Sequence, residues 1–266
     1  MDALFQKILE KDLEYNAGDM AMELFGLRSD VHYDLLVAAP SWKPQTFIWP
    51  EDTDVLFSSL HSYVSGYDLT MGRRRVGWIQ TASSAANVLD HLTVCAQLHF
   101  DKLVFIGAVG GIDPDFALGD VCTPSCCIDG SFASAYLLED PRSHRPFETV
   151  TPHCPEFISR VTDEAAARGI RIRKGKVFCT DSICCEYYHL PFIRSFGSEL
   201  IEMETALFYR LVALLEKPSI ALLVVSDNST NGHPLLGRSP EQEALYKQSR
   251  AYAIPTLLRM LAEMEL

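Results

Sequence analysis

The stretch "SIALLVVSDN", residues 219–228, constrains this chain more than any other. From Ile220 to Val225 it carries no polar side chain, so it has no face to offer to water. A strand with one wet side alternates apolar and polar residues; a strand that is apolar at every position has to be covered on both sides. Helices must therefore lie over both faces of the sheet that holds it.

The remaining sequence supplies those layers. Strands are expected at 33–41, 74–82, 102–110, 119–128, 175–182 and 198–204. Between them, 83–100 reads as a helix with Ala85, Val88, Leu89, Leu92 and Cys95 in one stripe and Ser83 or Ser84 as its cap. A second helix at 154–169 stops at Gly169. The short strand at 198–204 passes straight into the helix "TALFYRLVALLEK". A terminal helix at 239–264 starts at Ser239–Pro240 and meets Pro255, where a kink is expected. Residues 129–154 read as a long loop or insertion. Interleaved strands and helices predict an α/β chain: a single domain with a mixed, mostly parallel central sheet flanked by helices. Ahead of it, Leu4, Phe5, Ile8, Leu9 and Leu13 share one face of a helix over 1–16. The expected organisation is an N-terminal helical extension, 1–28, and a main domain, 29–266. The extension packs either on the main body or on a second subunit.

A net charge of −12 argues against a nucleic-acid backbone or an anionic membrane as partner. The one dense basic spot, Arg73, Arg74 and Arg75, reads as a solvated strand edge. No run approaches the roughly 18 apolar residues of a membrane span. The first 19 residues are acidic, with no apolar run behind a basic start, and read as no secretory leader. With eight cysteines and no CxxC spacing, a reducing, cytoplasmic setting is expected, with the thiols used as small core residues. Cys122, Cys126, Cys127 and Cys154 fit no common zinc spacing, so no metal is expected.

In open α/β sheets ligands bind beyond the carboxyl ends of strands, which directs attention to 38–43, 81–84, 107–111, 179–186, 202–204 and 226–228. "GAVGGI" (107–112) lacks the GxGxxG spacing and the following helix of a dinucleotide site. It reads either as a tight connection or as a glycine turn whose N–H groups approach a ligand. "VVSDN" puts Ser226 and Asp227 at the mouth of the most buried strand. There Asp227 is either a partly desolvated general acid or the cap of the next loop. "IEMET" puts Glu202, Met203 and Glu204 where a strand becomes a helix. A carboxylate there can clamp vicinal hydroxyls, with a thioether packing on a sugar face; core packing and helix-dipole stabilisation are the alternatives. His189 and His233 show no partner in the sequence, and the Tyr187–Tyr188 pair reads as part of a short helix face.

Taken together, "GAVGGI…GDV", "VFCTDS", "LIEMETALFY" and "ALLVVSDNS" resemble in order and spacing the nucleoside phosphorylase family. This group holds purine nucleoside and uridine phosphorylases and the methylthioadenosine/S-adenosylhomocysteine nucleosidases. The resemblance spans roughly 33–262 and is strongest from 102 to 228. It implies that Asp227 protonates or hydrogen-bonds N7 of a purine as the glycosidic bond breaks, with Ser226 positioning it. Glu204 holds the ribose 2′ and 3′ hydroxyls, Met203 packs beside the sugar, and Glu202 contributes at the 2′ side. Thr180, Asp181, Ile183, Cys184, Ser226 and Asn228 line the base pocket. Ile183 and Cys184 stand where relatives often place an aromatic, which leaves the base open.

The nucleophile side departs from both branches of the family. Phosphorolytic relatives hold phosphate with arginines and a serine, and this chain has Phe105 and Ala108 at two of those places. Hydrolytic relatives use a glutamate after the first strand, near which this chain has Lys43. The leading reading is phosphorolysis of a purine nucleoside. Lys43, Ser83 or Ser84, the backbone of Gly107, Ala108 and Gly110, and an arginine from a neighbouring subunit then hold the anion. The second reading is hydrolysis by water, and the third is a nucleoside-binding module without turnover. No metal or organic cofactor is implied, only inorganic phosphate as co-substrate in the first reading. The implied partners are a small-molecule nucleoside and other copies of the chain, in a homo-oligomer that is a dimer or a trimer of dimers.

Overall fold

The computed structural model describes residues 1–266 apart from 17, 48–52 and 61–63. Its strands are β1 (His32–Tyr33), β2 (Leu35–Ala39), β3 (Thr53–Leu60), β4 (Ser65–Met71), β5 (Arg74–Gln80), β6 (His99–Phe100), β7 (Leu103–Gly111), β8 (Val121–Asp129), β9 (Glu148–Val150), β10 (Ile172–Cys179), β11 (Leu200–Glu202) and β12 (Ser219–Asn228). Its helices are α1 (Ala3–Tyr15), α2 (Met20–Phe25), α3 (Ala85–Val94), α4 (Pro155–Ala167), α5 (Ile183–Ser195), α6 (Thr205–Leu215) and α7 (Pro240–Glu263).

Ten strands make one mixed sheet in the order β11-β10-β8-β12-β7-β2-β5-β4-β3, with β9 added along β8. Parallel ladders join β5, β2, β7 and β12 and, separately, β8, β10 and β11. The end of β7 also pairs antiparallel with β11, Gly110 opposite Ile201 and Gly111 opposite Leu200, so this half of the sheet curls back on itself.

The predicted two-sided burial of β12 is what the strand shows. Ala221, Leu223 and Val225 enter one core, with Phe5, Phe25, Val88 and Phe208 from α1, α2, α3 and α6. Ile220, Leu222 and Val224 enter the other, with Phe157 and Ile158 of α4 and Leu257 and Leu258 of α7. All six strand residues are completely buried, each worth roughly 1.5–3 kcal/mol of transfer for a residue the size of Val or Leu.

Four expectations need correction. The helix expected over 83–100 ends at Val94, because His99 and Phe100 are drawn into a parallel pair with His32 and Tyr33. The strand expected over 198–204 covers only Leu200–Glu202. Residues 129–154 are not featureless: two 3₁₀ turns, Ala133–Leu137 and Pro141–Ser143, precede β9. The arginine run is not an edge, since β5 lies between β2 and β4. Arg74 pairs with Asp34 at 2.8 Å, and Arg75 grips the buried Asp68 with two bonds of 2.9 and 2.6 Å.

Candidate active site

β2 and β7 stay paired only as far as Ala38 and Phe105, whereas β7 continues along β12 to Gly111. A cleft opens where they part. Its enclosed part measures ≈ 160 Å³, widening to ≈ 690 Å³ when the open mouth is counted. Ser41 and Trp42 line it after β2, Ser83 after β5, and Gly107, Ala108 and Gly110 from β7. Ile183 and Glu186 of α5, the trio Glu202, Met203 and Glu204, and Ser226 and Asp227 of β12 complete its polar and apolar walls.

A bulge sets the direction of Asp227. In the β12–β7 ladder Val225 faces Val109 and Asp227 faces Gly110, leaving Ser226 as the extra residue. Such bulges re-aim side chains beside sites. Ser226 Oγ donates to Asp227 Oδ1 at 2.6 Å. Gly110 makes the approach possible: a Cβ there would lie 3.1 Å from Asp227 Oδ2. Burial raises the Asp227 carboxyl above the usual range, against the pull of the Ser226 bond and the Arg238 charge. Arg238 is itself fixed by Ser226 O at 2.9 Å and by Glu243 at 2.9 Å. The glycines of "GAVGGI" therefore belong to a strand rather than a turn, and Gly110 serves close approach of side chains.

At the β11–α6 junction the two glutamates divide the work. Glu202 turns its carboxylate onto the start of α6, accepting from Glu204 N at 2.7 Å, from Thr205 N at 2.9 Å, from Thr205 Oγ1 at 2.8 Å and from Cys179 Sγ at 2.8 Å. It thereby satisfies N–H groups that a helix start leaves open. Glu204 accepts one bond, from Ser84 N at 2.9 Å. The turn that aims this N–H is strained: Ala82 and Ser84, on either side of Ser83, have φ of 61° and 133°, at a cost of order 1–3 kcal/mol each. Burial first, and the Glu202 charge second, hold Glu204 well above the ordinary carboxylate range.

The cleft thus brings together Glu202, Met203, Glu204, Ser226, Asp227, Ile183, Ser83, Gly107, Ala108 and Gly110 of the residues expected from sequence. The others stand outside its lining. Lys43 is exposed ahead of a 3₁₀ turn. Asp181 and Cys184 are exposed, and the Thr180 hydroxyl accepts from Ser182 N within its own turn. Asn228 is buried, with its amide donating to Asp113 O and Phe116 O at 2.8 Å each and its oxygen accepting from Thr230 N. Among the described residues no three His, Cys, Asp or Glu side chains gather as a metal-binding group.

Sequence reasoning included Glu186, one helical turn beyond Ile183, in the stretch 179–186 but gave it no role. Burial, and next the Asp227 charge, push its carboxyl up to about 7. Its unfolded counterpart ionises in the ordinary range, so the folded state loses stability as pH rises from there through about 7. Before screening the loss is about 3 kcal/mol, and with the group facing an open cleft about 1–2 kcal/mol is expected to survive. Glu186→Gln is therefore expected to melt about 2–6 °C above the parent at pH 8 and level with it at pH 4. Melting curves at the two pH values check this, and equal Tm at pH 8 would contradict it.

Comparison with known proteins adds an independent line. Among proteins of curated function, none matches the chain by sequence. Among solved structures, the 5′-methylthioadenosine/S-adenosyl homocysteine nucleosidase of Campylobacter jejuni superposes with a TM-score of 0.66 at 15% identity, over 87% of this chain and 99% of that one. The AMP nucleosidase of Bacteroides thetaiotaomicron gives 0.62 at 17% identity, over 92% and 95%. At such identities the likeness is one of fold. The family model described as "Phosphorylase superfamily" matches residues 64–261, a span that holds β7, β12, the β11–α6 junction and nearly all of the cleft, and the chain belongs to the phosphorylase superfamily.

Proposed function

We propose that the protein breaks the N-glycosidic bond of a purine nucleoside and passes the ribosyl group to water. The observation that carries the reading is that Asp227 and Glu204, both carboxyls that burial makes hold their protons to higher pH than usual, line one cleft with Met203. As the C1′–N9 bond breaks, its electron pair leaves with the base and positive charge builds on the sugar. A proton from Asp227 to N7 neutralises the base. Glu204, with acceptor positions left over after the Ser84 bond, holds the ribose hydroxyls. Water adds its oxygen to C1′ and gives up its extra proton to solvent, from which Asp227 is recharged.

The choice of water over phosphate rests on the cleft's charge. Glu186, Glu202, Glu204 and Asp227 line it, and no Lys, Arg or His is among the described lining residues. Nothing in that lining offers a phosphate dianion a counter-charge, and any carboxyl there that is ionised repels it. Phosphorolysis, which the sequence ranks first, needs a cation brought in by Lys43 or by a neighbouring subunit. The two nucleosidase-named neighbours in fold favour the same order.

The test is base release from adenosine, inosine and methylthioadenosine, with and without phosphate. Equal rates in both conditions, with free ribose or its 5′-thio analogue as product, are expected. Release that requires phosphate and yields a sugar 1-phosphate would overturn the choice of water.

A further inference from the structure

Of the cleft's four carboxyls, Glu186 alone has no hydrogen-bond or ion-pair partner for its side chain among the described residues. Glu202 is bound to the start of α6, Glu204 to Ser84 and Asp227 to Ser226. Yet Glu186 is only 8% exposed. Its carboxylate faces the open cleft, so its acceptor positions are free to meet a ligand there. Its place says what arrives. Ser182 caps α5, accepting from Cys185 N at 3.3 Å, so Ile183 and Glu186 fall one turn apart on one helix face. Both line the cleft. An apolar side chain and an acceptor thus stand side by side on the wall next to Asp227, close enough for the Asp227 charge to act on Glu186.

On a purine ring, N7 and the substituent at C6 lie on the same edge. A group beside the one that addresses N7 addresses that substituent. We propose that Glu186 selects the base, accepting a hydrogen bond from a C6 amino group, so that the cleft takes 6-aminopurine nucleosides in preference to 6-oxopurine ones. The inference rests on the reading above, in which Asp227 serves N7. An ionised carboxylate only accepts. An amino group satisfies it, whereas a 6-oxo group turns a lone pair toward it and leaves both groups unpaired. A 6-oxo base is tolerated only when Glu186 carries a proton.

The titratable groups around Glu186 are Asp227 from β12, Glu202 and Glu204 from the β11–α6 junction, and Tyr187 alongside on α5; after burial, the Asp227 charge is the one that acts on its proton. Arg238, ahead of α7, is tied to Glu243 and acts on Asp227. Burial first, and the Asp227 charge second, push the Glu186 carboxyl up to about 7, so its ionised form gains as pH rises from 6 to 8.

The test is calorimetric binding of free adenine and free hypoxanthine to the full chain at pH 6 and pH 8, for the parent and Glu186→Gln. The parent is expected to bind adenine about 10–100-fold more tightly than hypoxanthine at pH 8, with a smaller ratio at pH 6. An amide can turn either its donor or its acceptor to the base. The ratio in Glu186→Gln is therefore expected to fall to within about threefold at both pH values. A ratio unchanged in the variant, a parent that binds hypoxanthine as well as adenine at pH 8, or no binding of either base would overturn the proposal. The pH comparison on the parent keeps the test decisive should the variant fail to fold. Because binding of free base does not need turnover, the outcomes separate. Absent nucleoside cleavage with an intact adenine preference sinks the proposed reaction alone, and cleavage with no base preference sinks the selection alone.

Discussion

Asp227→Asn is expected to lower kcat/KM for base release by about 10²–10⁴-fold, the usual span for loss of a general acid. The substitution is nearly isosteric. The new amide oxygen can still accept from Ser226 Oγ, a bond of 2.6 Å in the parent, and the space conceded by Gly110 is unchanged. What disappears is a proton that can leave. The buried carboxyl holds that proton to higher pH than an ordinary aspartic acid, with burial as the cause and Ser226 and Arg238 opposing. The sign follows: the acid form is the working form, so parent activity falls as pH rises through the raised value, and the variant's residual activity lacks that limb. A second measurement separates lost acid from lost geometry. A riboside whose leaving group departs well without protonation should lose far less than adenosine. If Asp227→Asn retains adenosine activity within a few-fold, or loses both substrates equally, Asp227 is not the acid.

How much of this was legible in the chain can be argued residue by residue. β12 was readable because apolar residues at every position leave a strand no option but cover on both faces, and its alternate side chains do enter two different cores. Asp227, Ser226 and Glu204 were readable because a polar residue at the end of a buried strand can point only into a cleft or a loop, and Met203 lines the same cleft beside Glu204. The role of Glu186 was not readable. In "ICCEYYHLPF" the residues facing the cleft are fixed by the rotation of α5 about its axis, which its packing decides and no periodic signal announces. Asn228 was misplaced for a related reason. Its amide answers to carbonyls of Asp113 and Phe116, more than a hundred residues earlier, and no local pattern records that obligation. The β3–β4 hairpin has no counterpart in the sequence reading. Val55, Leu56 and Phe57 are about half exposed on the outermost strand, so the chain shows no alternation there to read. Lys43 drew notice for its charge after the first buried strand, but the side chains that reach the cleft from that loop are Ser41 and Trp42. Trp78 Nε1 anchors the loop, donating to Trp42 O at 3.0 Å.

The adjacent glutamates offer the sharpest contrast between scaffold and site. Glu202→Ala is expected to cost about 2–4 kcal/mol, lowering Tm by about 5–15 °C, because it removes the acceptor for several donors at once. Glu204 N, Thr205 N, Thr205 Oγ1 and Cys179 Sγ all converge on that carboxylate, and Glu202 is only 7% exposed. Water has little room to replace it, so the orphaned N–H groups keep their full desolvation cost. Glu204→Gln should behave in the opposite way. It keeps shape and an oxygen for the Ser84 N–H, and it replaces a carboxyl that burial already holds toward its neutral form, so Tm should stay within about 2 °C. Activity should nonetheless fall by about tenfold or more on ribosides, and less on 2′-deoxyribosides, since an amide presents only one acceptor oxygen to the sugar. If Glu202→Ala melts with the parent, the junction is not held by this carboxylate. If Glu204→Gln loses stability and leaves the preference for ribose over deoxyribose unchanged, Glu204 supports the turn at Ser84 and does not hold the sugar. The pairing matters because both residues share one strand end, similar burial and the same chemical group. Only the number of donors each already serves distinguishes them, and that number decides which is free to meet a substrate.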